Sequence, residues 1–335
     1  MNKKLITIRI LIFLALVFGV PWAAALAVSP SDLMSENPVR AMAIANLCFV
    51  GFPWLANLIT RLITGEGFKN LWLWPKFRRG GRFYIGAWLL PLVAVAVGGL
   101  VFYLITPDLF DPNLGVLKSL AARSSTTASL NPWVFLLTII LSLVFISSPI
   151  NMFASLGEEF GWRGYLLQKL TDLFSKPDPT VSLENLNDIS ASQTNGIFYT
   201  AAARKAALLT GLIHGIWHIP LILLTSKLAP SSTVPTLLAY ILFTCALSIL
   251  LSWAALNSGS VWPAALGHGT VNSIAGLPGY FLSGSSITWI GPGTTGLIGG
   301  IGFVLLAFWL IISKTPTKRS EQDGPDQVTD LEGTR

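Results

Sequence analysis

Charge is scarce in this chain. Only 11% of its 335 residues are Asp, Glu, Lys or Arg, against roughly 25% in a soluble domain, which excludes one large solvated globule. Cysteine is scarcer still. Cys48 and Cys245 are the only two, and each lies inside an apolar run. Such usage excludes a disulfide framework and a thiolate metal site, and both cysteines read as small buried hydrophobes. No internal repeat is evident. There is no soluble basic domain to hold a nucleic acid, so the formal net charge of +6 speaks to topology instead. Only three histidines occur, and that rarity makes their positions informative.

What is abundant is hydrocarbon. The chain is 52% hydrophobic and its mean hydropathy is +0.64. A helix needs about 20 mainly apolar residues to cross a bilayer. About eight stretches qualify, at roughly 5–28, 41–63, 83–106, 132–155, 205–225, 235–257, 260–283 and 294–313. The expected fold is therefore all-α, a polytopic membrane helix bundle with about eight transmembrane helices and an intramembrane cavity toward the cytoplasmic side.

Lysine and arginine orient it. Lys3 and Lys4 precede the first span; Arg61, Lys69, Lys76, Arg78, Arg79 and Arg82 crowd the loop at 64–82; Arg163 to Lys205 brackets another basic stretch; Lys314, Lys318 and Arg319 follow the last span. Placing all of these inside gives a multi-pass protein of the cell membrane with both termini cytoplasmic. Residues 1–27 also resemble a secretory signal, with Ala25-Leu26-Ala27 as a cleavage site, but the apolar stretch is long for that role and is expected to stay as the first span. The aromatic and cationic stretch at 68–86 suits the headgroup level. Residues 175–200 read as a polar loop, 284–297 as an outside turn, and 315–335 as a disordered cytoplasmic tail.

Three polar clusters interrupt the apolar helices. The first is Gly157-Glu158-Glu159-Phe160-Gly161-Trp162-Arg163-Gly164. Intramembrane acids are costly and usually face a cavity or a partner. Glu159 and Arg163 stand four apart in the favourable order and form an ion pair on one helix face. Glu158, turned about 100° from its neighbour, is left to point elsewhere and takes the chemical role. Three glycines so close together favour close approach of a neighbouring helix. The second cluster is His214 and His218, also four apart, just before Pro220. They can bind a metal, or one can serve as a base beside a structural partner. The third is His268 and Asn272, an imidazole and an amide suited to donate to a developing oxyanion.

Glu-Glu-x-x-x-Arg, then a histidine on the next polar helix, then His-x-x-x-Asn, in that order, resembles the CAAX-protease and bacteriocin-processing (CPBP, or Abi) family of intramembrane proteases, relatives of the type II CAAX prenyl endopeptidase. The match runs over roughly 130–280. The position four before the second-motif histidine is often Phe in that family and here is His214. The resemblance implies a peptidase in which Glu158 and His218 activate a water, His268 and Asn272 steady the oxyanion, and Glu159 with Arg163 organises the site. It also implies a division into an N-terminal part at 1–131 with three spans, a catalytic core at 132–283, and a last span at 284–314. The partners implied are the bilayer and a membrane-associated peptide or protein substrate. No cofactor is certain from the sequence. The sequence leaves open whether a divalent ion such as zinc sits among Glu158, His218 and His268, and no His-Glu-x-x-His motif is present. Two other readings of the same residues are an inert binding or immunity protein and, less favoured for want of a repeat, a proton-coupled transporter. At about 1.5 Å per residue, His268 falls about 12 Å into its span and His218 about 20 Å from Lys205. Glu158 lies near the boundary unless its helix continues past residue 155. The site is expected in the cytoplasmic half of the bilayer.

Overall fold

The computed structural model describes residues 2–28, 36–123, 127, 129–175, 197–226 and 233–313. The 315–335 tail and most of the 175–200 loop lie outside them. Ten α-helices of seven residues or more carry the described chain: α1 (Lys3–Val28), α2 (Pro38–Ile63), α3 (Phe77–Ile105), α4 (Gly115–Ala121), α5 (Pro132–Phe174), α6 (Ala201–Trp217), α7 (Ile219–Ser226), α8 (Thr233–Ser258), α9 (Trp262–Ile274) and α10 (Ile301–Ile312). Six stretches are long and apolar enough to cross a membrane, in α1, α2, α3, α5 and α8 and across α6 and α7 together, and the protein is a multi-pass helical bundle. Among the described residues the single β-bridge, Phe110 to Leu282, ties two loops.

Three elements differ from expectation. The fourth stretch does not stop near 155: α5 runs 43 residues, about 65 Å at 1.5 Å each. Its sequence turns polar after Gly157 because that half leaves the bilayer-facing surface, and residues 158–171 are all buried. The seventh and eighth stretches hold shorter helices, α9 with 13 residues and α10 with 12. Glycines and prolines between 276 and 300 end one and delay the other. The expected turn at 284–297 leads into a largely buried loop, with Ile298 N–H donating to Ile290 O at 2.8 Å and Leu297 N–H to Trp289 O at 2.7 Å.

Lipid is as apolar as leucine, so close backbone approach and satisfied polar groups hold such a bundle together. A Cβ on Gly157 would lie 2.5 Å from Val50 O, and one on Gly161 2.5 Å from Pro53 Cβ, so α5 can lie this close to α2 only with glycine at both positions. Gly269 brings α9 against the backbone of Asn151 and Met152 in the same way.

Prolines inside helices free carbonyls, which cannot be left bare in hydrocarbon. Pro21 has no N–H for Val17 O, and Trp217 Nε1 donates to that oxygen instead at 2.7 Å. A π-helical turn at Leu143–Ser147 precedes Pro149 in α5, and Trp88 Nε1 donates to Val144 O at 3.2 Å. At one end of the bundle Glu66 gathers Arg9 (3.4 Å), Arg61 (3.5 Å) and Lys169, joining α1, the end of α2 and the end of α5. The basic loop beside it buries Trp72 against the start of α9, where Trp72 O accepts Val261 N–H at 3.0 Å, and leaves Trp74 and Phe77 exposed. Cys48 and Cys245 are free and half-buried.

Candidate active site

The buried half of α5 supplies both acids. Glu158 and Glu159 are adjacent, so on a helix they diverge by about 100° and meet different partners. Glu159 Oε1 takes Arg163 Nη1 at 2.9 Å, the ion pair read from the four-residue spacing, with both side chains fully buried. The same oxygen lies 2.8 Å from His268 Nδ1 on α9. A second π-helical turn, Trp162–Leu166, follows at once, and Asn57 of α2 donates from Nδ2 to Phe160 O at 2.9 Å. Asn57 also accepts Arg61 Nε at 2.8 Å, so a buried polar pair on α2 braces the turn carrying the acids.

Glu158 faces the other way. Its Oε2 is 3.1 Å from His214 Nε2 and 3.9 Å from His218 Nε2, and the two imidazole nitrogens are 3.2 Å apart. The four-residue spacing on α6 puts both rings on one face, and Pro220 ends the helix directly after them, leaving His218 as the C-terminal cap. Trp162 lies against His214 in a tilted contact, ring centroids 4.9 Å apart. His218 is enclosed by Trp217 at 4.8 Å and Tyr240 at 5.3 Å. The His214 and His268 rings are 5.9 Å apart, so the two acid–imidazole groups form one centre.

Asn272 lies one turn beyond His268 and is exposed; its Nδ2 donates to Ser155 Oγ at 3.4 Å. Ser155 is three residues before Glu158, one helical turn away on the same face. All seven residues singled out in the sequence therefore fall around the α5–α6–α9 junction, but in a different grouping for one of them. The atoms that converge as metal ligands are those of Glu158, His214 and His218. His268, grouped with Glu158 and His218 in the sequence, turns Nδ1 to Glu159. Sequence reasoning passed over Ser155, Asn57 and Tyr240, polar groups in apolar helices, although Arg61 stands four residues after Asn57. A groove of about 320 Å³ lies away from this centre, past the end of α9, lined by apolar residues including Leu92, Val95, Ile274 and Phe281.

A polytopic all-helical membrane protein with a buried acid–histidine centre is the class that fold and site define. Residues 133–274, from the start of α5 to the last residue of α9, match the family described as type II CAAX prenyl endopeptidase Rce1-like. None of the curated proteins compared with the chain matches it. At the level of the family the match supports a CAAX-protease-like intramembrane endopeptidase.

Proposed function

We propose that the protein hydrolyses a peptide bond of a membrane-associated substrate with a water activated by Glu158 and His218. The observation that carries this reading is the division of labour between the two acids. Glu159 is neutralised by Arg163 at 2.9 Å, whereas among the described residues Glu158 forms no ion pair with a lysine or arginine and meets two imidazoles. A carboxylate so placed is within reach of a water's proton. The water oxygen then attacks the scissile carbonyl, and the oxyanion takes hydrogen bonds from Asn272 Nδ2, which is exposed to an incoming chain, and from the His268 ring. The proton held by Glu158 passes to the leaving amine as the C–N bond breaks. His214 holds the Glu158 carboxylate, and the Glu159–Arg163 pair holds His268.

The same reading makes 132–283 the catalytic core. It puts both termini and the basic loop at 64–82 on the cytoplasmic side of the cell membrane, because lysine and arginine concentrate there. Exposed Trp74 and Phe77 then sit at the headgroup level as anchors.

The test is cleavage of membrane peptides by the full chain in proteoliposomes, read by mass spectrometry in ¹⁸O-labelled water. One labelled oxygen in each new carboxyl terminus, absent with Glu158→Gln, is the expected result. Unlabelled or absent products with the folded wild type would overturn it.

A further inference from the structure

We infer that the side-chain oxygen of Asn151 accepts a backbone N–H of the bound substrate about three residues from the scissile bond, so that the protein takes segments that enter extended rather than helical. Asn151 is then a substrate-positioning residue of the hydrolase proposed above, and its role rests on that reading.

Position is the first support. Asn151 stands in the apolar half of α5, within Pro149-Ile150-Asn151-Met152-Phe153, where a carboxamide is costly unless it finds partners. Ile150 and Phe153 are exposed, while Asn151 is half-buried where α5 crosses α9. Asn151 and Glu158 share one unbroken α-helical stretch, Ser148–Gly161. Their spacing of seven residues is two turns on the same face and about 10 Å along the axis. α9 runs antiparallel along this face: Asn272 meets Ser155, and Ser273, next in sequence, meets Asn151 and Ser147.

The orientation of the carboxamide is the second. Asn151 Nδ2 donates to Ser147 Oγ at 3.1 Å and to Ser273 Oγ at 2.9 Å, which occupies both of its hydrogens. Ser273 Oγ has Gly269 O at 2.9 Å and Ser147 Oγ at 3.1 Å to receive its single proton, so it meets Asn151 as an acceptor. The nitrogen is thereby turned into the seam between α5 and α9 and the oxygen out of it. Among the described residues that oxygen accepts no hydrogen bond, and it is not sealed in the core. Polar contact between packed membrane helices accounts for the nitrogen and leaves the oxygen without a partner.

The chemistry of the substrate is the third. A membrane segment satisfies its N–H and C=O groups within its own helix, and unwinding it for hydrolysis leaves them bare in hydrocarbon. An acceptor fixed beside the unwound stretch replaces one lost partner. At about 3.3 Å per extended residue, the roughly 10 Å from Glu158 to Asn151 is the length of three residues. Hydrogen bonding to the main chain reads its conformation and not the identity of its side chains. The substrate class is therefore an apolar segment that unwinds readily, with a residue other than proline at that position, since proline has no N–H.

The experiment uses the full chain in proteoliposomes and a membrane peptide that it cleaves. The peptide is remade with single amide-to-ester replacements, one at each residue from the second to the fifth on both sides of the scissile bond. Each replacement removes one N–H and adds no bulk. A single position about three residues out should lose about 3- to 10-fold in kcat/KM, mainly through KM, and proline there should lose at least as much. Asn151→Leu should lose a similar factor on the unmodified peptide and nothing further on the ester at that position. A side chain that only held the helices together would not show this coupling. Esters without effect at every position on the wild type overturn the inference, whether or not Asn151→Leu folds. Undiminished sensitivity to the ester in folded Asn151→Leu overturns it too. Cleavage with a flat ester profile removes the Asn151 contact and leaves the hydrolase standing, whereas no cleavage of any membrane peptide by the folded wild type removes both.

Discussion

Glu158 and Glu159 are neighbours in sequence whose carboxylates serve different imidazoles: Glu158 Oε2 meets His214 at 3.1 Å and Glu159 Oε1 meets His268 at 2.8 Å. The helix separates them, and their roles diverge accordingly. Glu158→Gln keeps shape and removes the base. Hydrolysis by this variant should fall by about 10²–10⁴-fold while the far-UV circular dichroism and melting temperature stay near wild type. A variant that cleaves at the wild-type rate assigns the base elsewhere.

Glu159→Gln should act on stability instead. It leaves the fully buried Arg163 guanidinium without its counter-charge, and losing one partner of a buried pair costs about 3–5 kcal/mol. Removing both charges, with Glu159→Gln and Arg163→Met together, should recover part of that loss. Unfolding in mixed detergent micelles measures both, and strict additivity of the single changes would show the two side chains to be uncoupled.

Two glycine substitutions separate close approach from helix propensity. Gly161→Ala drives a methyl into Pro53, 2.5 Å from its Cβ and 2.6 Å from its carbonyl oxygen, and should cost about 1–3 kcal/mol. Gly51→Ala, on α2, meets nothing within 4 Å, and should be neutral or stabilising by up to about 1 kcal/mol. Melting curves of the two variants should move in opposite directions or by clearly different amounts.

Trp217→Phe removes the donor to Val17 O. That carbonyl has no helical partner because Pro21 lacks an N–H, so the unpaired group should cost about 1–3 kcal/mol. His218 sits against the same indole. A fall in kcat larger than any change in KM, in protein that is still folded at the assay temperature, is the expected signature of a displaced imidazole. Unchanged kinetics would leave the indole a purely structural prop.

Much of this was legible in the chain before its coordinates. Four-residue spacing paired Glu159 with Arg163 and set His214 and His218 on one face, because a helix imposes that period on whatever it carries. Hydropathy located the long spans, while two kinds of segment form helices of other lengths than the apolar stretches suggest. The second half of α5 looked like an exit from the membrane because it is polar, yet it is buried in protein, where polarity is tolerated once paired. The stretches after residue 258 looked like two full spans because glycine-rich loops score as apolar, although α9 and α10 are only 13 and 12 residues long. The Asn57–Arg61 pair at four-residue spacing was passed over, and Ser155 gave no sign of its contact with Asn272 over 100 residues away, which periodicity within one helix cannot show.

The brace between Trp217 and Val17 has a consequence for the life history of the protein. A helix made earlier in synthesis steadies, through Trp217, the region of His218 made two hundred residues later, and His268 arrives later still on α9. On the proposed reading, a half-synthesised chain therefore lacks a complete hydrolytic centre, and newly made neighbours in the membrane are spared until assembly is complete.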